Sequence, residues 1–389
     1  MDEFGSHTDC QPLLDIIEGE IRANGRITFR RFMELALYHP HHGYYTGGRP
    51  VIGRDGDYFT SPGLSPLFGA MIGRQVADVW RRLDRPARFA IVEPGAGDGT
   101  LAADLLRWAA RAEPGLRDAI QYTLVERGAR PAMCPDPLQG AAAVSWQGQI
   151  PADITGCLIS NELLDAFPAH LVGVAEGELR ELYVTLEGDA LAETWGAPST
   201  AELSAYFDAL GLRPGEGCRA EVNLDAPRWI AEAAGALRRG LILTLDYGYP
   251  AARLYARWRR QGTLLCFSRH TAHDNPYVRV GRQDITAHVD FTSVARAGRD
   301  AGLTLAGFTN QSAFLTALGI HDATRPPVGR SPGEEYFARY RATNDLLAPE
   351  GLGRVGVLAL TRGLDDLMLR GFDGAPDPHV ALFGADGAG

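Results

Sequence analysis

The sequence is poor in cysteine, has no long apolar run and carries no excess of positive charge. Its five cysteines, Cys10, Cys134, Cys157, Cys218 and Cys266, are odd in number, widely spaced and free of any C-x-x-C pair. That excludes a disulfide framework and a cysteine-based metal site, and points to a reducing, cytoplasmic compartment. No run of about 18 apolar residues occurs, so no membrane-spanning helix is expected. The start has no basic stretch followed by an apolar one, so no secretory signal is expected, and Met1–His7 reads as a cloning remnant outside the fold. With 38 basic against 48 acidic residues the formal net charge is −10. A chain of that sign is not built to grip phosphate backbones, and neither nucleic acid nor a membrane is expected as a partner. The cluster His39-Pro40-His41-His42 lacks carboxylate or cysteine companions at ligand spacing, so no metal is expected.

What is present is an ordinary globular composition, 45% hydrophobic and 22% charged over 389 residues, enough for two or three domains. Residues 12–37 read as two helices around Asn24-Gly25, the second capped by Thr28. Ser65 caps a further helix with Pro66 at its first position. From Arg88 the pattern alternates. Strands are expected at Phe89–Val92, Tyr122–Val125, Ala142–Trp146, Leu158–Ser160, Leu241–Leu245, Leu303–Phe308 and Val355–Leu360, with a helix over Leu101–Ala112 and a loop over Pro131–Pro137. Such alternation predicts an α/β fold, a doubly wound and mostly parallel seven-stranded sheet. The segments are an N-terminal helical cap over the site (8–84), a nucleoside-binding core (85–169), an inserted α+β subdomain (170–235), the rest of the core (236–370) and a disordered tail (371–389). The irregular stretch 250–291, rich in Arg, His and aromatics, is expected on the acceptor side.

The most informative segment is Glu93-Pro94-Gly95-Ala96-Gly97-Asp98-Gly99-Thr100. A strand runs into three alternating glycines and then a helix. Glycines permit sharp turns and close approach of a ligand, and the helix start offers free N–H groups. A dinucleotide loop has G-x-G-x-x-G spacing and serves a pyrophosphate. Here the spacing is G-x-G-x-G, with Glu93 just before it. A carboxylate there suits the ammonium of S-adenosylmethionine better than a pyrophosphate. A nicotinamide oxidoreductase is therefore the weaker alternative. Glu126, ending the next strand, suits a pair of ribose hydroxyls. Asp98 either starts the helix or lies near the ligand. Asn161-Glu162 and Asp246 lie at carboxyl ends of strands, where open α/β sheets place ligands.

Further stretches, in order, are Phe32–Tyr45 (FMELALYHPHHGYY), Gly56–Pro62 (GDYFTSP), Leu67-Phe68-Gly69, Asn161–Pro168 (NELLDAFP), Leu245–Gly248 (LDYG), Asp284–Phe291 (DITAHVDF), Gln311–Leu315 (QSAFL) and Val357–Thr361 (VLALT). In these the sequence resembles the MidA-like S-adenosylmethionine-dependent methyltransferases, the group that includes the mitochondrial assembly methyltransferase of respiratory complex I. The resemblance implies a class I methyltransferase fold and S-adenosylmethionine as donor, with S-adenosylhomocysteine as product. It implies a protein arginine as acceptor. It places Gly95, Gly97, Glu126 and Asn161-Glu162 on the donor side, under a cover of Tyr58-Phe59-Thr60-Ser61. Gly63, Ala70 and, in Leu264-Leu265-Cys266-Phe267, Leu265 and Phe267 replace residues usual in the family, on stretches expected to face the acceptor.

The expected site is therefore Glu93, Gly95, Gly97, Asp98, Gly99, Glu126, Asn161, Thr60 and Ser61 around the donor. Methyl transfer from a sulfonium needs alignment and a dry pocket more than an acid. For a guanidinium acceptor, Glu162 and Asp165 are the candidates. They share one face if Leu163 onward is helical, and Asp165 capping a turn before Pro168 is an equal alternative. For a hydroxyl acceptor, His270 or His288 is the candidate base. The acceptor is left open among protein, peptide and small molecule, as are a homodimer and a non-catalytic assembly role.

Overall fold

Strands buried on both faces carry near-continuous apolar side chains instead of an alternating pattern. The segments that read this way in the sequence become one sheet. The computed structural model describes residues 9–47, 60–126, 143–326, 333–364 and 368–384; Pro131–Pro137, Tyr58 and Phe59 lie outside them. The chain divides into two compact units.

One unit comprises the described residues within Thr60–Leu163, Pro227–Gly248 and Val294–Gly389. Its strands, in chain order, are β1 (Phe89–Pro94), β2 (Ile120–Val125), β3 (Val144–Gln147), β4 (Ile154–Asn161), β5 (Leu237–Asp246), β6 (Thr304–Asn310) and β7 (Gly356–Arg362). They lie in the order β6-β7-β5-β4-β1-β2-β3. Neighbours from β5 to β3 are parallel; β7 runs antiparallel between β5 and β6. All seven expected strands are present, so the doubly wound reading holds.

The helix Pro66–Arg82 starts as the sequence indicates, with the Ser65 hydroxyl accepting from Leu67 N–H at 3.2 Å. Phe68, Ile72 and Val76 are fully buried with Leu101 and Leu105 of the helix Thr100–Ala112. Each such side chain contributes about 1.5–3 kcal/mol by leaving water. This helix is thus part of the sheet unit's core, not of an N-terminal cap. The tail also differs from expectation. Pro378–Phe383 is a helix, because Asp377 caps the N–H groups of His379 and Val380 and Leu382 is buried.

The other unit comprises the described residues within Met1–Phe59, Leu164–Ala226 and Tyr249–Ser293. The insertion does not stand alone. Its strand Glu178–Glu187 pairs with the N-terminal Ile27–Thr28, with His170–Ala175 and with Ala190–Gly196. Phe29, Phe32, Leu171, Leu182 and Val184 share a core. Within 250–291, Leu265–Ser268 forms a small sheet with Thr271–His273 and Asp284–Thr286. Buried Glu221 accepts from the Thr263 N–H and hydroxyl, both at 2.9 Å, and Thr263 Oγ1 accepts from His288 N–H at 3.0 Å. One carboxylate therefore anchors a stretch with little regular structure of its own.

The sheet sets a strict limit at Gly156 in β4, where φ is +149° and an added Cβ would meet the Ala90 carbonyl oxygen of β1 at 1.9 Å. Gly156→Ala is expected to cost about 3 kcal/mol or more, or to prevent folding. Gly148→Ala, with nothing within 4 Å, should stay within about 0.5 kcal/mol. Urea unfolding midpoints of the two variants test the pair.

Candidate active site

Strand order reverses at β1, which is flanked by β4 on one side and β2 on the other. At such a switch point the helices that follow leave on opposite sides, and the carboxyl ends of the strands open a crevice. β1 ends in the glycine loop and β4 ends in Asn161, so the two most informative stretches of the sequence converge there.

Gly95, Gly97 and Gly99 have φ of 71°, 58° and 84°, the left-handed region that glycine occupies without strain. The loop is pinned to the next strand. Gly95 N–H donates to Val125 O at 2.9 Å, and Gly97 N–H donates to Glu126 Oε1 at 2.6 Å. Burial raises the Glu126 carboxyl above the usual range, and the Gly97 N–H pulls it partly back. Asp98 is exposed and accepts from Thr100 N–H at 2.9 Å, which starts the helix at Thr100. That is the first of its two sequence-based roles.

Glu93 differs from its sequence reading. It is 4% exposed, and the Tyr122 hydroxyl donates to its Oε2 at 2.6 Å. Burial pushes its carboxyl up to about 8; the Tyr122 hydrogen bond opposes this, and the nearby Glu126 and Asp98 carboxylates add to it. Near neutrality Glu93 is therefore largely a neutral acid, not an open carboxylate facing an ammonium. Tyr122 carries no sequence signal for this contact beyond its place in a strand.

At the end of β4, Glu162 has φ of 50°, an unusual conformation for a residue with a Cβ. Such strain costs about 1–3 kcal/mol and persists only where surrounding bonds enforce it. Those bonds are visible here. Glu162 N–H donates to Leu245 O at 2.8 Å, and Leu163 N–H donates to the buried Asp246 carboxylate at 3.0 Å. Glu162 Oε1 accepts from Ser61 N–H at 3.3 Å and from Asn161 Nδ2 at 3.2 Å. The amide of Asn161 is thereby oriented, and its Oδ1 is buried with no hydrogen-bond partner. An unmet buried acceptor costs about 1–3 kcal/mol.

Ser61 is fully buried and Thr60 nearly so; the Ser61 hydroxyl donates to Gln311 Oε1 at 3.0 Å. Gln311 in turn donates to Leu346 O at 3.0 Å. Gln311 thus holds the Ser61 hydroxyl, and Asp246 holds the Leu163 N–H next to Glu162. Gln311 lies in a family-like stretch without an assigned role, and Asp246 is marked in the sequence only by its place at the ligand-binding end of a strand.

The acceptor candidates are placed differently. Residues 162–168 form turns, not a helix, with Phe167 N–H donating to Leu164 O at 3.2 Å. The shared helical face of Glu162 and Asp165 therefore does not exist: the left-handed Glu162 and Pro168 bracket too short a run. Asp165 belongs to the other unit, is buried, and its backbone carbonyl accepts from Ala287 N–H at 2.9 Å. His270, also in that unit, is exposed in the two-residue turn between Ser268 and Thr271, with φ of 60°. Its conformation meets what a tight hairpin turn demands. The His288 ring packs edge-on to Tyr249, centroids 5.3 Å apart.

A sheet of this order, with a left-handed glycine loop at the switch point and acids ending β2 and β4, defines a class I methyltransferase using S-adenosylmethionine. Residues 71–309 match the family described as "Putative S-adenosyl-L-methionine-dependent methyltransferase". A Burkholderia thailandensis protein solved bound to S-adenosyl-homocysteine is 33% identical, with a TM-score of 0.82, covering 93% of this chain and 94% of its own. The protein arginine methyltransferase NDUFAF7 homolog of Drosophila melanogaster is 27% identical across 78% of this chain and 74% of its own. The human mitochondrial NDUFAF7 is 27% identical across 79% and 74%. The chain belongs to this S-adenosylmethionine-dependent methyltransferase family.

The Glu93 environment has a measurable consequence. Its folded-state value lies above the 4.5 of an ordinary glutamate. Its contribution to stability is therefore full at acid pH, falls as pH rises from about 4.5 to about 8, and levels off above. Glu93→Gln, which mimics the neutral acid, should gain in Tm relative to wild type across that window and remain parallel outside it. A pH-independent difference would mean that Glu93 is ionised in the fold.

Proposed function

We propose that the enzyme methylates a guanidinium nitrogen of a protein arginine, with Glu162 holding the acceptor. The observation that carries this reading is the strained, multiply bonded Glu162 beside an oriented Asn161 at the switch point. The names of the relatives, protein arginine methyltransferases aligned over three quarters or more of this chain, support it.

The donor suits the residues present. S-adenosylmethionine, when bound, supplies a methyl group on a positively charged sulfur. Gly95, Gly97 and Gly99 would admit its amino-acid end close to the backbone. Asn161 Oδ1, an acceptor without a donor, would take its ammonium. Glu126, already bonded to Gly97 N–H through Oε1, would receive the ribose hydroxyls, as acids at this position do in doubly wound sites. Glu93, Asp98, Thr60 and Ser61 then serve the loop and its neighbour: Glu93 beneath it through Tyr122, Asp98 at the helix start, and Thr60-Ser61 by fixing Glu162.

For the acceptor, a carboxylate holds a guanidinium bidentately and restricts its orientation. Alignment of this kind supplies much of what a displacement at carbon needs. The nitrogen sheds a proton as it gains the methyl group, and the Glu162 carboxylate is the assigned recipient. The fixed left-handed backbone at Glu162 keeps that carboxylate from drifting.

Glu162→Gln is expected to lower kcat by about 100-fold or more while leaving S-adenosylhomocysteine affinity within about threefold. Glu126→Ala should weaken that affinity about 10- to 100-fold, the worth of hydrogen bonds to a charged group. Calorimetric titration and transfer of labelled methyl to protein, with mass-spectrometric assignment of the modified side chain, read both. Wild-type kcat in Glu162→Gln, or label on a side chain other than arginine, overturns the reading.

A further inference from the structure

The segment Ala251–Arg260 carries four arginines, Arg253, Arg257, Arg259 and Arg260, and no acid, in a chain of net charge −10. Among the described residues none of the four makes an ion pair. Arg253 and Arg259 instead lie over the same ring. Their guanidinium carbons are 4.3 and 5.1 Å from the Tyr249 centroid, and Arg259 is also 4.8 Å from the Trp258 centroid. Trp258 is 67% exposed, the most open of the large apolar side chains described. Arg259 is half-buried, and its Nε is buried with no acceptor.

Two like charges on one ring lie within a screening length of each other and repel. Stacking on Tyr249 and Trp258 offsets part of this and holds each guanidinium by its face, leaving N–H donors for an acceptor. The orphaned Arg259 Nε adds a desolvated donor that a carboxylate would satisfy. A large exposed tryptophan with Arg259 over its ring has the composition of a binding anchor.

We propose that Arg253, Arg257 and Arg259, with Tyr249 and Trp258, dock an acidic segment of the protein that accepts the methyl group. The proposal rests on the reading of a protein acceptor above. Carboxylates match the guanidinium fork bidentately. A nucleic acid is disfavoured because a phosphate backbone is followed by an extended basic track, whereas here the charge is concentrated in one short segment of an acidic chain.

The test uses the full chain and a fluorescein-labelled Glu-rich peptide, with a Gln-rich peptide and a single-stranded RNA as comparison probes, followed by anisotropy. The Glu-rich peptide should bind at low salt, lose affinity as salt is raised, and bind about tenfold more weakly to Arg253→Glu. Trp258→Ala, at an exposed position, should weaken it severalfold. An unchanged Tm shift with S-adenosylhomocysteine shows that both variants remain folded. Three results overturn the proposal: equal peptide binding by wild type and variants, tighter binding of RNA than of peptide at this patch, or self-association that Trp258→Ala abolishes. Loss of arginine methylation with peptide binding intact would overturn the acceptor reading and leave the docking surface standing.

Discussion

Where β1 lies against β4, the backbone must do two things at once. The two strands must come close enough that Gly156 faces the Ala90 carbonyl with no room for a side chain. Their carboxyl ends must then diverge to leave a crevice. Close packing below the site and divergence above it explain why glycine is needed on both strands. It serves contact within β4 and left-handed turns after β1. The rest of the site is arranged on that frame, from the Glu126 clasp on Gly97 to the Asp246 clasp on Leu163.

The crevice gathers carboxyl groups: Glu93, Asp98, Glu126, Glu162 and Asp246 all lie on the loops and strand ends around it. Such a group cannot keep every member charged without cost. The buried Glu93 yields first, pushed up to about 8 by burial and by its acidic neighbours. What remains ionised suits a ligand that brings positive charge. S-adenosylmethionine does so twice, at its sulfonium and its ammonium, which is the physical reason an acid-lined glycine loop goes with this donor and not with a pyrophosphate.

The second unit gives a contrast in how polar groups are used. Glu221, buried, takes hydrogen bonds from Thr263 and Leu264 and so holds a loop without regular structure. The Arg253–Arg260 stretch does the opposite. Two of its four cations, Arg253 and Arg259, rest on aromatic rings, and none of the four pairs with a carboxylate among the described residues. A structural acid that is fully satisfied and basic residues that are not, a few turns of chain apart, separate what the fold needs from what it offers to a partner.

Sequence alone determined whatever is encoded within a few residues. The apolar runs specified all seven strands, G-x-G-x-G spacing distinguished the donor loop from a dinucleotide loop, and Thr28 and Ser65 marked helix starts that the structure repeats. Tertiary structure decided what depends on distant neighbours. The Glu93 carboxyl is pushed up by burial in the sheet and by the nearby Glu126 and Asp98 carboxylates, against the hydrogen bond from Tyr122, 29 residues away. Glu162 is held by Ser61 across 101 residues of chain. The strand Ile27–Thr28 finds its partner in the insertion, and the helical face assumed for Glu162 and Asp165 dissolves into turns. Local spacing carries conformational preference; protonation, strain and pairing follow from burial and strand order, which no short window of sequence contains.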